Sequence, residues 1–203
     1  DGQIRLYNLH TQQLYAGLLT YVYKFANDRN YTIDSEIKKS KNQISDKDVG
    51  MYVYDKLRPT VNNDRIKPHK HQIEAISHAI NNDRCLLLSP TGSGKSLIIY
   101  SLIRYYEDIL PKDKKILIVV PTTGLVSQMY NDFRDYSSKD SMWSADNTCH
   151  SIYAGQDKQT NKRVVISTWQ SIYKLPDKYF EQYGAVFGDE CHLFKSKSLT
   201  TLM

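Results

Sequence analysis

Lys95 and Ser96 close the run Ser89-Pro90-Thr91-Gly92-Ser93-Gly94-Lys95-Ser96, whose residue types suit the capture of a polyphosphate. Gly92 and Gly94 let the backbone fold back so that several N–H groups converge on one anion, and a helix starting near Lys95 adds its positive end to the same spot. Lys95 offers a point charge to the β- and γ-phosphates of a nucleotide, and the Ser96 hydroxyl offers a ligand to the accompanying Mg²⁺. Pro90, Thr91, Gly92, Ser93, Gly94, Lys95 and Ser96 are therefore the expected nucleotide contacts. The pattern GxxxxGK[ST] is met except at its first position, where Ser89 replaces glycine. Such a loop needs a partner acid, and Asp189-Glu190 follows the apolar run Ala185-Val186-Phe187-Gly188. Two adjacent carboxylates can divide the work: Asp189 holds Mg²⁺ through water, while Glu190 orients and deprotonates an attacking water. Lys95, Asp189 and Glu190 are the candidate catalytic residues.

The elements that must position these groups are legible from apolar spacing. Cys85 to Leu88 reads as a strand buried on both faces, and Leu97, Ile98, Leu102, Ile103 and Tyr106 recur at helical spacing behind the loop. Around them, Ile73, Ile76 and Ile80 mark a helix, Ile116 to Val120 a strand, and Leu125, Val126, Met129 and Phe133 a further helix. Val164 to Ser167 and Ala185 to Gly188 complete the strands. Alternating strands and helices predict an α/β fold with a mainly parallel sheet and function at the strands' carboxyl ends. Ser137 to Asn147 is hydrophilic and reads as a surface loop. Residues 1–65 read differently, as a small α+β unit. It would hold strands at Ile4–Tyr7, Leu14–Leu18 and Tyr31–Ile33, a helix over Leu19–Asn27, and a helix started by Ser45 and Asp48 that carries Val49, Tyr52, Val53 and Leu57. Arg58 to Arg65, with Pro59 and two consecutive Asn residues, reads as the linker to a second unit over 66–203.

Composition narrows the function classes. The chain has 203 residues, 40% of them hydrophobic, enough for a real core. No apolar run approaches a membrane span and no basic-then-apolar leader is visible, so the expectation is a cytoplasmic protein without a membrane partner. Cys85, Cys149 and Cys191 form no CxxC pair, which argues against a disulfide framework or a zinc ribbon. The six histidines are scattered, with only His69 and His71 close together, and no structural metal is assigned. The net charge of +5 is mild and spread over both units, so charge alone does not establish nucleic-acid binding.

Asp189-Glu190-Cys191-His192 resembles the DExH box, motif II, of superfamily 2 helicases, and Ser89 to Ser96 resembles their motif I. Pro121-Thr122-Thr123-Gly124-Leu125 with Gln128 is similar to motif Ia, and Ser167-Thr168-Trp169-Gln170 to motif Ib, in the family's order. The resemblance covers nearly the whole chain and lies nearest to the phage recombination helicases. It implies a RecA-like P-loop domain that uses ATP and Mg²⁺, with Gln72 at the adenine edge and His192 coupling the nucleotide site to the nucleic-acid track. Thr122, Thr123, Thr168 and Gln170 would lie along that track. Hydroxyls and backbone amides at strand ends can follow a sugar-phosphate chain without reading bases. The implied partners are branched or single-stranded DNA, with RNA or an RNA-DNA hybrid as the alternative, and a second RecA-like domain. Residues 1–65 would help engage branched DNA. The chain begins without Met and ends soon after Asp189, as expected of a piece of a longer protein. The family's arginine fingers would then lie elsewhere, and losing one costs about 10³- to 10⁵-fold in phosphoryl-transfer rate. The chain alone is expected to bind ATP and hydrolyse it poorly. Two readings outside the helicases also stay open: a P-loop kinase or other ATPase, and a non-enzymatic adaptor that keeps a degenerate loop.

Overall fold

A computed structural model describes residues 7–14, 18–34, 43–82, 84–153 and 155–193. At the N-terminal side, β1 (Tyr7–Asn8) and β2 (Gln13–Leu14) form a small antiparallel hairpin ahead of α1 (Leu19–Asn27). The α1 helix has the expected bounds. Tyr31–Ile33 forms no strand, and residues 4–6 and 15–17 of the expected strands lie outside the described residues.

Ser45 starts α2 (Asp46–Met51) with a reciprocal cap: its hydroxyl accepts from the Asp48 N–H, and the Asp48 carboxylate accepts from the Ser45 N–H. The helix widens into a π-helical stretch, Tyr52–Leu57, which ends at Arg58 in the left-handed region at φ 51°. The expected linker is instead a hairpin, β3 (Thr60–Val61) and β4 (Asp64–Arg65). Asn62 and Asn63 stand at φ 51° and 67°, the two positive angles that a tight hairpin turn requires and Asn tolerates. The hairpin is docked, since both Asp135 carboxylate oxygens accept from the Asn62 N–H at 3.0 Å.

The rest of the chain builds the α/β unit: α3 (Lys70–Asn81), α4 (Lys95–Ile109), β5 (Lys115–Val120), α5 (Thr123–Tyr136), α6 (Ala145–Thr148), β6 (Cys149–Ile152), β7 (Val164–Thr168), α7 (Trp169–Ile172), α8 (Asp177–Phe180), β8 (Tyr183–Gly188) and a 3₁₀ turn at Cys191–Leu193. Four strands pair in parallel in the order β6-β7-β5-β8. Ile116, Ile118 and Val120 bury one face of β5 against Leu97, Tyr100 and Ile103 of α4 and Val126, Met129 and Phe133 of α5. Leu117 and Val119 bury the other face with Ile152, Val165 and Ile172. Both faces are covered, which explains the uninterrupted apolar run of β5. Val49 and Val53 share a third core cluster with Ile76, Ile80, Ile98 and Leu102, so residues 46–57 pack as part of this unit and no break in packing falls at residue 65.

Cys85 to Leu88 departs from expectation. It forms no strand, and Leu86 and Leu88 are 65% and 90% exposed. A parallel strand needs a neighbour to hydrogen-bond. The described sheet ends at β8, whose far side has no strand partner among the described residues and whose Val186 is 53% exposed. β6 and the single-turn helices α6, α7 and α8 fall where no element was expected. These segments are too short for periodicity to register.

Candidate nucleotide site

The phosphate loop takes the form its glycines allow. Gly92 and Gly94 sit at φ 79° and 77°, and Gly94 is the N-cap of α4. Lys95 and Ser96 occupy the first turn, where backbone N–H groups have no intrahelical acceptor and face outward. Ser89, the departure from the usual pattern, has its Oγ 2.5 Å from Ser93 Oγ and so ties the loop across its base. The Ser93 carbonyl is gripped as well: it accepts from Gln72 Nε2 at 2.9 Å, and His71 Nε2 lies 3.0 Å from it. Gln72 is 4% exposed, and its amide oxygen accepts from the His69 N–H at 2.8 Å. Both ends of the amide are thus engaged within the protein. The side chain expected at an adenine edge here braces the phosphate loop. A cleft of about 490 Å³ opens beside the loop, lined by Ile66, His69, His71, Gln72, Gly94 and Tyr136 among others.

At the carboxyl end of β8, the Asp189 N–H donates to the Val119 carbonyl at 2.9 Å, which fixes the acids beside the end of β5. Glu190 adopts φ 51°, in the left-handed region that few side chains other than Asn or Asp visit. In that conformation its N–H donates to Asp189 Oδ1 at 3.0 Å and its carboxylate meets Lys95 Nζ in a direct ion pair, with both side chains 28% exposed. The Glu190 hydrogen bond holds the Lys95 ammonium above its ordinary pKa, with smaller help from the charges of Glu190 and Asp189. Burial raises the Asp189 carboxyl, while the charge of Lys95 works against that shift. Loop and acids, 94 residues apart in sequence from Lys95 to Asp189, therefore share one electrostatic site. Free N–H groups, an ammonium, a hydroxyl and two carboxylates form a donor set that fits a triphosphate with Mg²⁺.

The remaining expected residues fall nearby with distinct surroundings. Thr122 is the N-cap of α5, its hydroxyl accepting from the Leu125 N–H, and Thr123 beside it is exposed. Gln170 is exposed and donates to the Pro121 carbonyl at 3.3 Å, which joins the ends of β5 and β7. Thr168 differs from expectation: it is 4% exposed, and its hydroxyl lies 2.8 Å from Ser171 Oγ, so it holds the turn into α7 and is not presented to solvent. His192 falls in the 3₁₀ turn after Glu190. Sequence reasoning missed His71 and Tyr136 at the cleft. Neither belongs to a recognisable spacing, although His71 stands next to Gln72.

Comparison with known proteins decides the family. Residues 65–202 match the model of ResIII, the "Type III restriction enzyme, res subunit". The chain belongs to the ResIII family of the superfamily 2 helicases. Within that group it is similar to the ATP-dependent DNA helicase uvsW of Enterobacteria phage T4, with 36% identity over 100% of this chain and 40% of the relative. The solved structure of the T4 UvsW helicase superposes with a TM-score of 0.86, covering 100% of this chain and 70% of that one. ATP-dependent DNA helicase Hel308 of Caldivirga maquilingensis is 30% identical over 60% of this chain and 16% of its own length. The chain thus spans less than half the length of these two curated relatives. The RecA-like α/β fold expected from the motifs is the fold of this chain.

Proposed function

We propose that the protein is an ATP-dependent DNA translocase of the helicase type, acting on branched or single-stranded DNA. The observation that carries this reading is the ion pair between Lys95 and Glu190, which joins loop and acids in a chain whose relatives are named ATP-dependent DNA helicases. In this reading the α4 N-terminus and Lys95 bind the phosphates, and the nucleotide separates Lys95 from Glu190. The released Glu190 carboxylate then orients a water and accepts its proton. Ser96 and Asp189 would hold Mg²⁺, which when bound would supply positive charge to offset that of the phosphates. Gln72 and His71 keep the loop in register by holding the Ser93 carbonyl.

Thr122, Thr123 and Gln170 gather at the ends of β5 and β7 and form the near side of a track for the DNA backbone. Gln170 makes the two ends one surface. His192, two residues after Glu190 in the turn that follows the acids, is the residue we assign to couple the nucleotide to that track. ATP drives such a cycle only if the protein's two states bind nucleotide with different affinity. We assign that second state to closure against a further RecA-like domain in the intact protein, working in the host-cell cytoplasm.

ATP hydrolysis by the intact protein, measured alone and with forked DNA, single-stranded DNA and RNA, tests the reading. Stimulation of about tenfold or more by DNA is expected; each decade corresponds to about 1.4 kcal/mol of activation free energy. Turnover indifferent to all three nucleic acids would leave a non-helicase ATPase, and stimulation by RNA alone would reassign the substrate.

A further inference from the structure

The cleft beside the phosphate loop gives a nucleotide held by that loop room for its base, and its volume of about 490 Å³ is that of a small-molecule site. Its wall decides how a base is met. Four of the polar side chains lining it are already engaged within the protein. Gln72 is 4% exposed; its amide oxygen accepts from the His69 N–H at 2.8 Å, and its Nε2 donates to the Ser93 carbonyl at 2.9 Å. That nitrogen packs so closely on the loop that a Cβ at Gly94 would collide with it. His71 Nε2 lies 3.0 Å from the same carbonyl, which can only accept, so this nitrogen is the donor. The Ser93 hydroxyl is tied to that of Ser89, and Tyr136 Oη lies 2.9 Å from Ser96 Oγ.

The rest of the wall offers flat or apolar contact. Ile66 and Leu97 are aliphatic, and the His69 and His71 rings lie nearly parallel, 10° apart in plane with centroids at 5.6 Å. Stacking on a ring accepts any base, because every base has a π face. Lys67 on the same wall is exposed and carries only donors, which N7 of either purine can accept. Adenine and guanine share a two-ring face and differ at position 6, an amino donor in one and a carbonyl acceptor in the other. A site that tells them apart must aim a polar atom at that position, and the amide best placed to do so is spent on the loop.

We propose that the site selects the triphosphate with its Mg²⁺ and not the base, so that ATP and GTP bind alike, with Gln72 serving the loop and not the purine. This rests on the nucleotide-site reading above.

The test is displacement of a ribose-labelled fluorescent ATP by unlabelled ATP and by GTP, with Mg²⁺ present, on the parent protein and on Gln72→Ala. In the parent the two affinities are expected within about threefold of each other, whereas a site that hydrogen-bonds position 6 separates them by roughly tenfold or more. Gln72→Ala is expected to weaken both nucleotides by a common factor, since the loop loses its brace. A tenfold or greater preference for either purine in the parent would overturn the proposal, and that ratio decides even if Gln72→Ala fails to fold. A loss confined to ATP in Gln72→Ala would overturn it as well. Failure of the parent to bind the labelled nucleotide at all would instead refute the nucleotide-site reading.

Discussion

Glu190 and Gly94 show how much of the site rests on backbone conformation. Both adopt left-handed angles, one at no steric cost and the other by paying for its place on Lys95. The two loop glycines separate the kinds of cost. A Cβ at Gly92 would meet nothing within 4 Å, whereas at Gly94 it would collide with Gln72 Nε2. Gly92→Ala should therefore lose only the backbone term, about 1 kcal/mol. Gly94→Ala should lose that and displace Gln72, lowering the thermal midpoint further and weakening nucleotide binding. Equal midpoints for the two variants would contradict the brace assigned to Gln72. The residue types of the loop and of Asp189-Glu190 were legible in sequence because phosphate and cation chemistry restricts them tightly. The brace was not, since a helical Gln and an adjacent His are common and only the fold turns them toward Ser93.

At the scale of elements, α4 carries the loop and must not shift. Its C-terminal end is secured by Arg163, which donates to the carbonyls of Pro111 at 2.8 Å and Leu110 at 3.0 Å. Its middle is secured by Arg104, paired with Asp140 at 2.9 Å, with the two side chains 15% and 16% exposed. Burial pulls the Asp140 carboxyl upward, but the Met142 N–H and the Arg104 guanidinium outweigh it and hold the pKa below the ordinary value. A depressed carboxyl contributes stability that is present above its unfolded pKa and is lost as pH falls through the folded one. Asp140→Asn should cost about 3 kcal/mol near neutrality by leaving Arg104 buried without its counter-charge. Thermal melts at descending pH should show the parent converging on the variant below the ordinary carboxylate range. A constant gap down to strong acid would mean that the pair contributes nothing through its charge. Helices and strands whose apolar faces are fully covered, such as α4, α5, β5 and β7, were readable from periodicity. The segment Cys85–Leu88 has the same apolar content, yet it is not a strand here, because pairing depends on a neighbour that local sequence does not encode.

Across the whole molecule, the packing joins what composition divided. Val49 and Val53 are fully buried against Ile76 and Ile98, so residues 46–57 stabilise the same body that holds the phosphate loop. Val53→Ala should lower the stability of the nucleotide-binding unit by about 2 kcal/mol. An unchanged midpoint, read from a probe on α4, would make that segment independent. The Asn62-Asn63 turn was a hairpin signal in the sequence, masked by Pro59 and polar neighbours that also suit a linker.

The site is expected to bind a nucleotide through Lys95 while Glu190 waits on the same ammonium. Equilibrium binding of an ATP analogue with Mg²⁺ to the parent, Lys95→Ala and Glu190→Gln tests it most directly. The account predicts at least tenfold weaker binding for Lys95→Ala, equivalent to about 1.4 kcal/mol or more. It predicts binding equal to or tighter than the parent's for Glu190→Gln, in which Lys95 no longer has a carboxylate to leave. Parent-like affinity in Lys95→Ala would contradict it.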